Sequence, residues 1–119
     1  MANYDKNNIF AKILRGEIPN NTVYEDEFVL AFHDINPAKK LHILVISKGE
    51  YVSFDDFTTH ASAEEQIGFY KAVQKVAAQV GMVGSGYRLI ANHGKHSGQE
   101  VPHYHVHILG GEKVGSLVA

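Results

Sequence analysis

The period of the hydrophobic positions changes along the chain, and each change marks an element. From Asn8 to Arg15 the apolar residues Ile9, Phe10, Ile13 and Leu14 share one helical face. Asn7 or Asn8 can cap that helix and Gly16 can stop it. Pro19 and Asn20-Asn21 form a turn. Thr22–Glu25 and Phe28–Phe32 then read as a hairpin with Glu25, Asp26 and Glu27 near its turn, and Asn36-Pro37 ends the unit. Leu41–Ser47 is apolar on both faces apart from His42, the pattern of a central strand. Ser53–Thr59 is ambiguous and fits one helical turn.

Ser62–Val80 has the plainest helical pattern. Ser62 and Glu65 have the spacing of a capping box, Ile67, Tyr70, Val73, Ala77 and Val80 recur at helical spacing, and Gly81 ends the run. Gly84-Ser85-Gly86 is a turn, Tyr87–Asn92 a strand, and His93–Pro102 a polar, glycine-containing loop. Proline has no N–H to give to a sheet, so the last strand begins near His103, runs to Leu109 and stops at Gly110-Gly111. About five strands joined mostly by short turns, with one long helix and a short N-terminal helix, predict an α+β fold on a mainly antiparallel sheet. One helix cannot cover both faces of such a sheet, and pairing of two copies through the other face or an edge would solve that, which predicts a homodimer.

Composition narrows the function. The 119 residues are 45% hydrophobic and 20% charged, suited to one globular domain. A net charge of -2 gives no general attraction to nucleic acid or to an anionic membrane. No apolar run is long enough to span a bilayer, and Met1–Asn8 is too polar for a signal peptide. The expected location is cytoplasmic. With no cysteine there is no disulfide, no thiol nucleophile and no cysteine-held zinc.

Eight histidines stand out against that background, three of them at His103, His105 and His107. In a strand this period-two run puts three imidazoles on one face, with Tyr104, Val106 and Ile108 on the other. Neighbours on that face lie about 6–7 Å apart, so one small group could meet all three. Three readings are open. The face could be solvated and inert. It could hold a metal, with His42 as a further ligand, although Glu100 is the one carboxylate near in sequence to complete or orient such a set. Or one imidazole could be a nucleophile, since it is largely neutral near physiological pH and needs no separate base. The loop Ser97-Gly98-Gln99-Glu100 before the strand has the composition of an anion nest, which makes it a candidate phosphate site.

The run His103-Tyr-His105-Val-His107-Ile-Leu resembles the signature of the histidine-triad (HIT) family. Gly98-Gln99-Glu100-Val101 and Gly110-Gly111 around it look like the family's Hint branch of nucleoside phosphoramidases. Ile9-Phe10-Ala11-Lys12-Ile13, Gly16-Glu17-Ile18-Pro19, Ala31–Pro37, His42 with Leu44-Val45-Ile46, and Gly86-Tyr87-Arg88 with Asn92 extend the likeness over about residues 8–111. The resemblance implies two five-stranded sheets joined into one of ten strands. It also implies hydrolysis of the P–N bond of a purine nucleoside phosphoramidate, an AMP–lysine or AMP–amine adduct, with no metal or other cofactor.

On this resemblance His105 is the nucleophile, flanked by a phosphate-contacting His107 and a mainly structural His103. His42 joins the proton network. Gly98 and Gln99 bind phosphate, with Asn92 close by, and Asp34 accepts the ribose hydroxyls. Ile9, Phe10, Ile13, Phe32 and Ile35 line the base pocket. His33, His60, His93 and His96 are read as incidental.

The chain also departs from parts of the pattern. Glu100 stands where animal Hint proteins carry a serine, which suggests a preference for a cationic leaving group. Tyr51 stands near the place of a second histidine in some members. Ala11 lies where some relatives carry a zinc-binding cysteine, so no metal is expected. The tail Glu112–Ala119 lacks the tryptophan of the animal proteins. The alternatives kept open are a dinucleoside polyphosphate hydrolase or nucleotidyl transferase of the same family, and a nucleotide-binding scaffold.

Overall fold

The computed structural model describes residues 3–117, so Met1 and Ala2, and the last two residues of the tail, lie outside the description. Helix α1 (Ile9–Leu14) is capped by Asn8, whose side chain accepts from the Ala11 N–H. Strands β1 (Thr22–Glu25), β2 (Val29–His33) and β3 (Leu41–Ser47) follow in a meander. Helices α2 (Phe54–His60) and α3 (Ala63–Gln79) come next, then β4 (Arg88–Ile90), a short 3₁₀ turn at Lys95–Ser97, and β5 (His105–Gly110). The five strands lie in the order β1-β2-β3-β5-β4, every pair antiparallel, and β5 sits between β3 and the short edge strand β4.

The two faces of the sheet are covered differently. Val29, Ala31, Ile43, Val45, Tyr104, Val106 and Ile108 meet Phe57 of α2 and Phe69, Val73 and Val76 of α3. Phe57 stacks on the Tyr104 ring at 4.7 Å. The opposite face, Leu30, Phe32, Leu44 and Ile46, is covered by Phe10 and Ile13 of α1. One short helix thus covers part of the face that the sequence left bare, so that face does not by itself require a second copy.

Several boundaries differ from the sequence reading. The segment read as one helical turn is the two-turn helix α2, closed by the backbone bond from Ala61 to Phe57. The capping box of α3 forms as read, but its buried stripe is Phe69, Ala72, Val73, Val76 and Ala77. Ile67 and Tyr70 are exposed, because the large Phe69 ring takes the core and turns Ile67 to the opposite side. Tyr87–Asn92 shrinks to the three residues of β4. The final strand starts at His105 instead of His103. The His103 and Tyr104 N–H groups go to the carbonyls of Val101 and Tyr51, outside the ladder.

Candidate active site

A cavity of about 470 Å³ opens on the α1 face, with His42, His105 and His107 in its wall. His42 and Leu44 reach it from β3, and His105 and His107 from β5, because both strands turn alternate residues to this side. Ile9, Phe10 and Ile13 come from α1, Phe32 from β2, and Asp34 and Ile35 from the segment after it. Asn92, Gly98 and Glu100 also line it. Ile35, 89% exposed, stands at the mouth. Sequence reasoning missed Ile18, Leu44 and Val101, which also line the cavity. Leu44 was within reach, since it lies two residues after His42 on the same strand. His33, read as incidental, also lines it.

The hydrogen bonds fix the tautomer of every histidine in the cluster. His105 Nδ1 lies 2.6 Å from the His103 carbonyl, which can only accept, so Nδ1 carries the proton and Nε2 the lone pair. His42 Nδ1 accepts from the Ala38 N–H at 3.0 Å, which leaves the proton on His42 Nε2. That proton is donated over 2.9 Å to His107 Nδ1, so His107 Nε2 is itself an N–H. His103, wholly buried, donates from Nε2 to the Ser47 carbonyl at 2.6 Å and accepts at Nδ1 from the Tyr4 hydroxyl at 2.5 Å. The cluster therefore holds one basic nitrogen at His105 and one outward donor at His107.

Burial keeps these rings neutral. Desolvation pushes His103 and His107 down to about 4. Desolvation also lowers His105, partly opposed by its bond to the His103 carbonyl and by the Asp34 carboxylate, and lowers His42, partly opposed by Asp34. The Phe10 ring meets the His105 ring edge-on at 4.9 Å and helps to keep it dry.

Asp34 accepts the Asn36 N–H on one oxygen at 2.8 Å and places the other 3.4 Å from His42 Nε2. Among the described residues Asp34, His42 and His107 could surround a cation, their ligand atoms lying within 4.8 Å of one another. The donor set fits a proton relay better. While Ala38 holds the Nδ1 lone pair, neutral His42 has no lone pair on Nε2 to offer a metal.

Gln99 departs from expectation. Its side chain accepts from the Gly94 N–H and donates to the carbonyls of Val52 and Val101, so the amide braces the loop and does not line the cavity. The N–H groups of Gly98 and Gln99 go to the carbonyls of Lys95 and Gly94. His93 and His60 lie near Asp55 and Asp56 around a separate hollow of about 510 Å³ behind this loop.

A family model for the HIT domain matches residues 15–114. An uncharacterised HIT-like protein of Azospirillum brasilense is 50% identical over 115 residues, covering 97% of this chain and 94% of that one. A purine nucleoside phosphoramidase of Escherichia coli is 43% identical over 112 residues, covering 93% and 92%. Among solved structures, a HIT family hydrolase of Clostridium thermocellum is 40% identical with a TM-score of 0.88 over 97% of this chain and 99% of that one. A histidine triad protein of Clostridium difficile matches with 42% identity and a TM-score of 0.81 over 91% and 93%.

Proposed function

The chain belongs to the HIT domain family, and we propose that it hydrolyses purine nucleoside 5′-phosphoramidates through a nucleotidyl-histidine intermediate. The observation that carries this reading is the one-way hydrogen-bond chain. It leaves His105 Nε2 as the basic nitrogen and gives His107 a donor beside it. His105 Nε2 attacks the phosphorus, the N–P bond forms, and the P–N bond to the amine breaks. The amine takes a proton as it leaves, with His107 Nε2–H, backed by His42, as the nearest donor. The resulting imidazolium keeps its Nδ1–H on the His103 carbonyl, whose dipole offsets the new charge. Water then attacks phosphorus and yields a proton that restores His107 Nε2–H, the N–P bond to His105 breaks so that Nε2 regains its lone pair, and the nucleoside monophosphate departs.

The remaining assignments rest on the same cavity. Asp34 receives the ribose hydroxyls, and Ile9, Phe10, Ile13, Phe32 and Ile35 enclose the base. Phosphate oxygens meet His107 and the backbone N–H groups of Glu100 and Val101, because Gly98 and Gln99 have committed theirs within the loop. The phosphoramidase name of the Escherichia coli relative favours a P–N substrate over a dinucleoside polyphosphate. Rates on adenosine 5′-phosphoramidate and diadenosine tetraphosphate, measured side by side, test this. Faster cleavage of the P–N bond is expected, and the reverse order overturns the reading.

We also propose a homodimer through the edge of β4. Among the described residues β4 is paired on one side alone, and Leu89 within it is 48% exposed. A second β4 laid antiparallel would extend the sheet to ten strands.

A further inference from the structure

The contacts that Tyr4, Ser47 and Phe10 make with the His103 ring stand apart from the roles assigned so far. Tyr4 lies outside the span matched by the family model, yet its hydroxyl reaches 99 positions along the chain to His103 Nδ1 at 2.5 Å. Its ring also packs edge-on against the imidazole, with centroids 5.6 Å apart. The other His103 nitrogen is bound to the Ser47 carbonyl, and the Phe10 ring closes a further side of the imidazole. The His103 carbonyl is the group that holds His105 Nδ1–H. One line of bonds therefore runs from Tyr4, through the ring and then the backbone of His103, to the ring of His105.

We propose that Tyr4 is a positioning residue for the nucleophile: its hydroxyl locks His103 as the Nε2–H tautomer and so holds the His103 carbonyl in place against His105 Nδ1–H. This rests on the reading of His105 as the attacking group. Ser47 offers a carbonyl and must receive a proton, so His103 Nδ1 is left with a lone pair deep in the protein. An unpartnered lone pair there would favour a flipped ring, the other tautomer or an intruding water. Each of these would shift the carbonyl that sets the aim of His105. The tyrosine supplies the missing donor. Burial raises the pKa of its hydroxyl, which therefore keeps its proton at neutral pH. The titratable and charged groups that bear on the pair are His105, Glu50, Arg15 and Asp5.

Tyr4→Phe keeps the ring and removes only the donor. With adenosine 5′-phosphoramidate, kcat falls about three- to tenfold, the rate equivalent of one neutral hydrogen bond. KM stays within about twofold, because Tyr4 does not line the cavity. The acid limb of the kcat/KM profile moves to higher pH, since a lone pair freed of its donor takes a proton more readily. A folded variant with unchanged kcat and an unmoved acid limb, or a change confined to KM, overturns the proposal. Imidazole ¹⁵N spectra of the unmutated protein give a second test that does not depend on the variant folding. They are expected to report His103 protonated on Nε2 and hydrogen-bonded at Nδ1, and the opposite tautomer overturns the proposal. A protein that leaves the phosphoramidate intact contradicts the proposed function alone, while the spectra still decide the role of Tyr4.

Discussion

At the scale of single residues the site is a matter of which nitrogen carries a proton. The pattern His103-x-His105-x-His107 identifies the side chains, but not their tautomers. Those depend on the His103 and Ser47 carbonyls and the Ala38 N–H, backbone groups that do not reveal themselves in residue type, and on the distant Tyr4 hydroxyl. The sequence therefore makes the histidines legible and hides what makes them unequal. The same holds for Gln99, whose amide composition suits phosphate but whose place in the loop commits it to Gly94, Val52 and Val101. Glu100 lines the cavity and brings a negative charge near the expected phosphate. We predict that it favours a lysyl over a neutral leaving group. In Glu100→Ser the ratio of the two kcat/KM values should fall about three- to tenfold, as expected for one partly screened charge pair. An unchanged ratio contradicts this role.

At the scale of elements, local chemistry was readable and competition between faces was not. The Asn8 cap, the Ser62–Glu65 capping box and the bounds of β3 follow from short-range signals. The buried stripe of α3 does not, because two apolar stripes overlap on that helix and Phe57 and Tyr104 of the packed core select the one containing Phe69. The start of β5 was read too early for a similar reason. Tyr104 alternates as a strand residue would, yet its N–H is taken by the Tyr51 carbonyl at 2.7 Å. Gly68 shows how packing overrides propensity. Alanine there should gain up to about 1 kcal/mol as a better helix former. Its Cβ would, however, overlap the Phe28 ring. Overpacking of that kind costs roughly 1–3 kcal/mol. We predict that Gly68→Ala is net destabilising, read as a lower denaturant midpoint at unchanged slope. A higher midpoint contradicts the packing described here.

At the scale of the whole molecule, burial of the cluster links stability to pH. His103 and His107 fall to about 4 in the folded protein, below the ordinary value near 6.5 in the unfolded chain. Between these values the unfolded chain binds more protons. Stability is therefore fully present above about pH 6.5, declines as pH falls toward 4, and loses no more from these two groups below that. The melting temperature should drop between pH 7 and pH 5, and His103→Phe should flatten that drop. An equal slope in both proteins contradicts the assignment. The open edge of β4 predicts a sedimentation mass of two chains at micromolar concentration, with Leu89→Lys shifting the protein toward one. A wild-type protein that sediments as a single chain would remove the ten-stranded sheet from the account.

The proposed chemistry depends on His105 Nε2 being the atom that attacks phosphorus. Mass spectrometry of protein quenched in alkaline denaturant, where an N–P bond to imidazole survives, after brief reaction with adenosine 5′-phosphoramidate tests that directly. The account predicts a single AMP adduct that maps to His105 and is absent in His105→Ala, which still binds AMP. An adduct on another residue, or full turnover by His105→Ala, contradicts it.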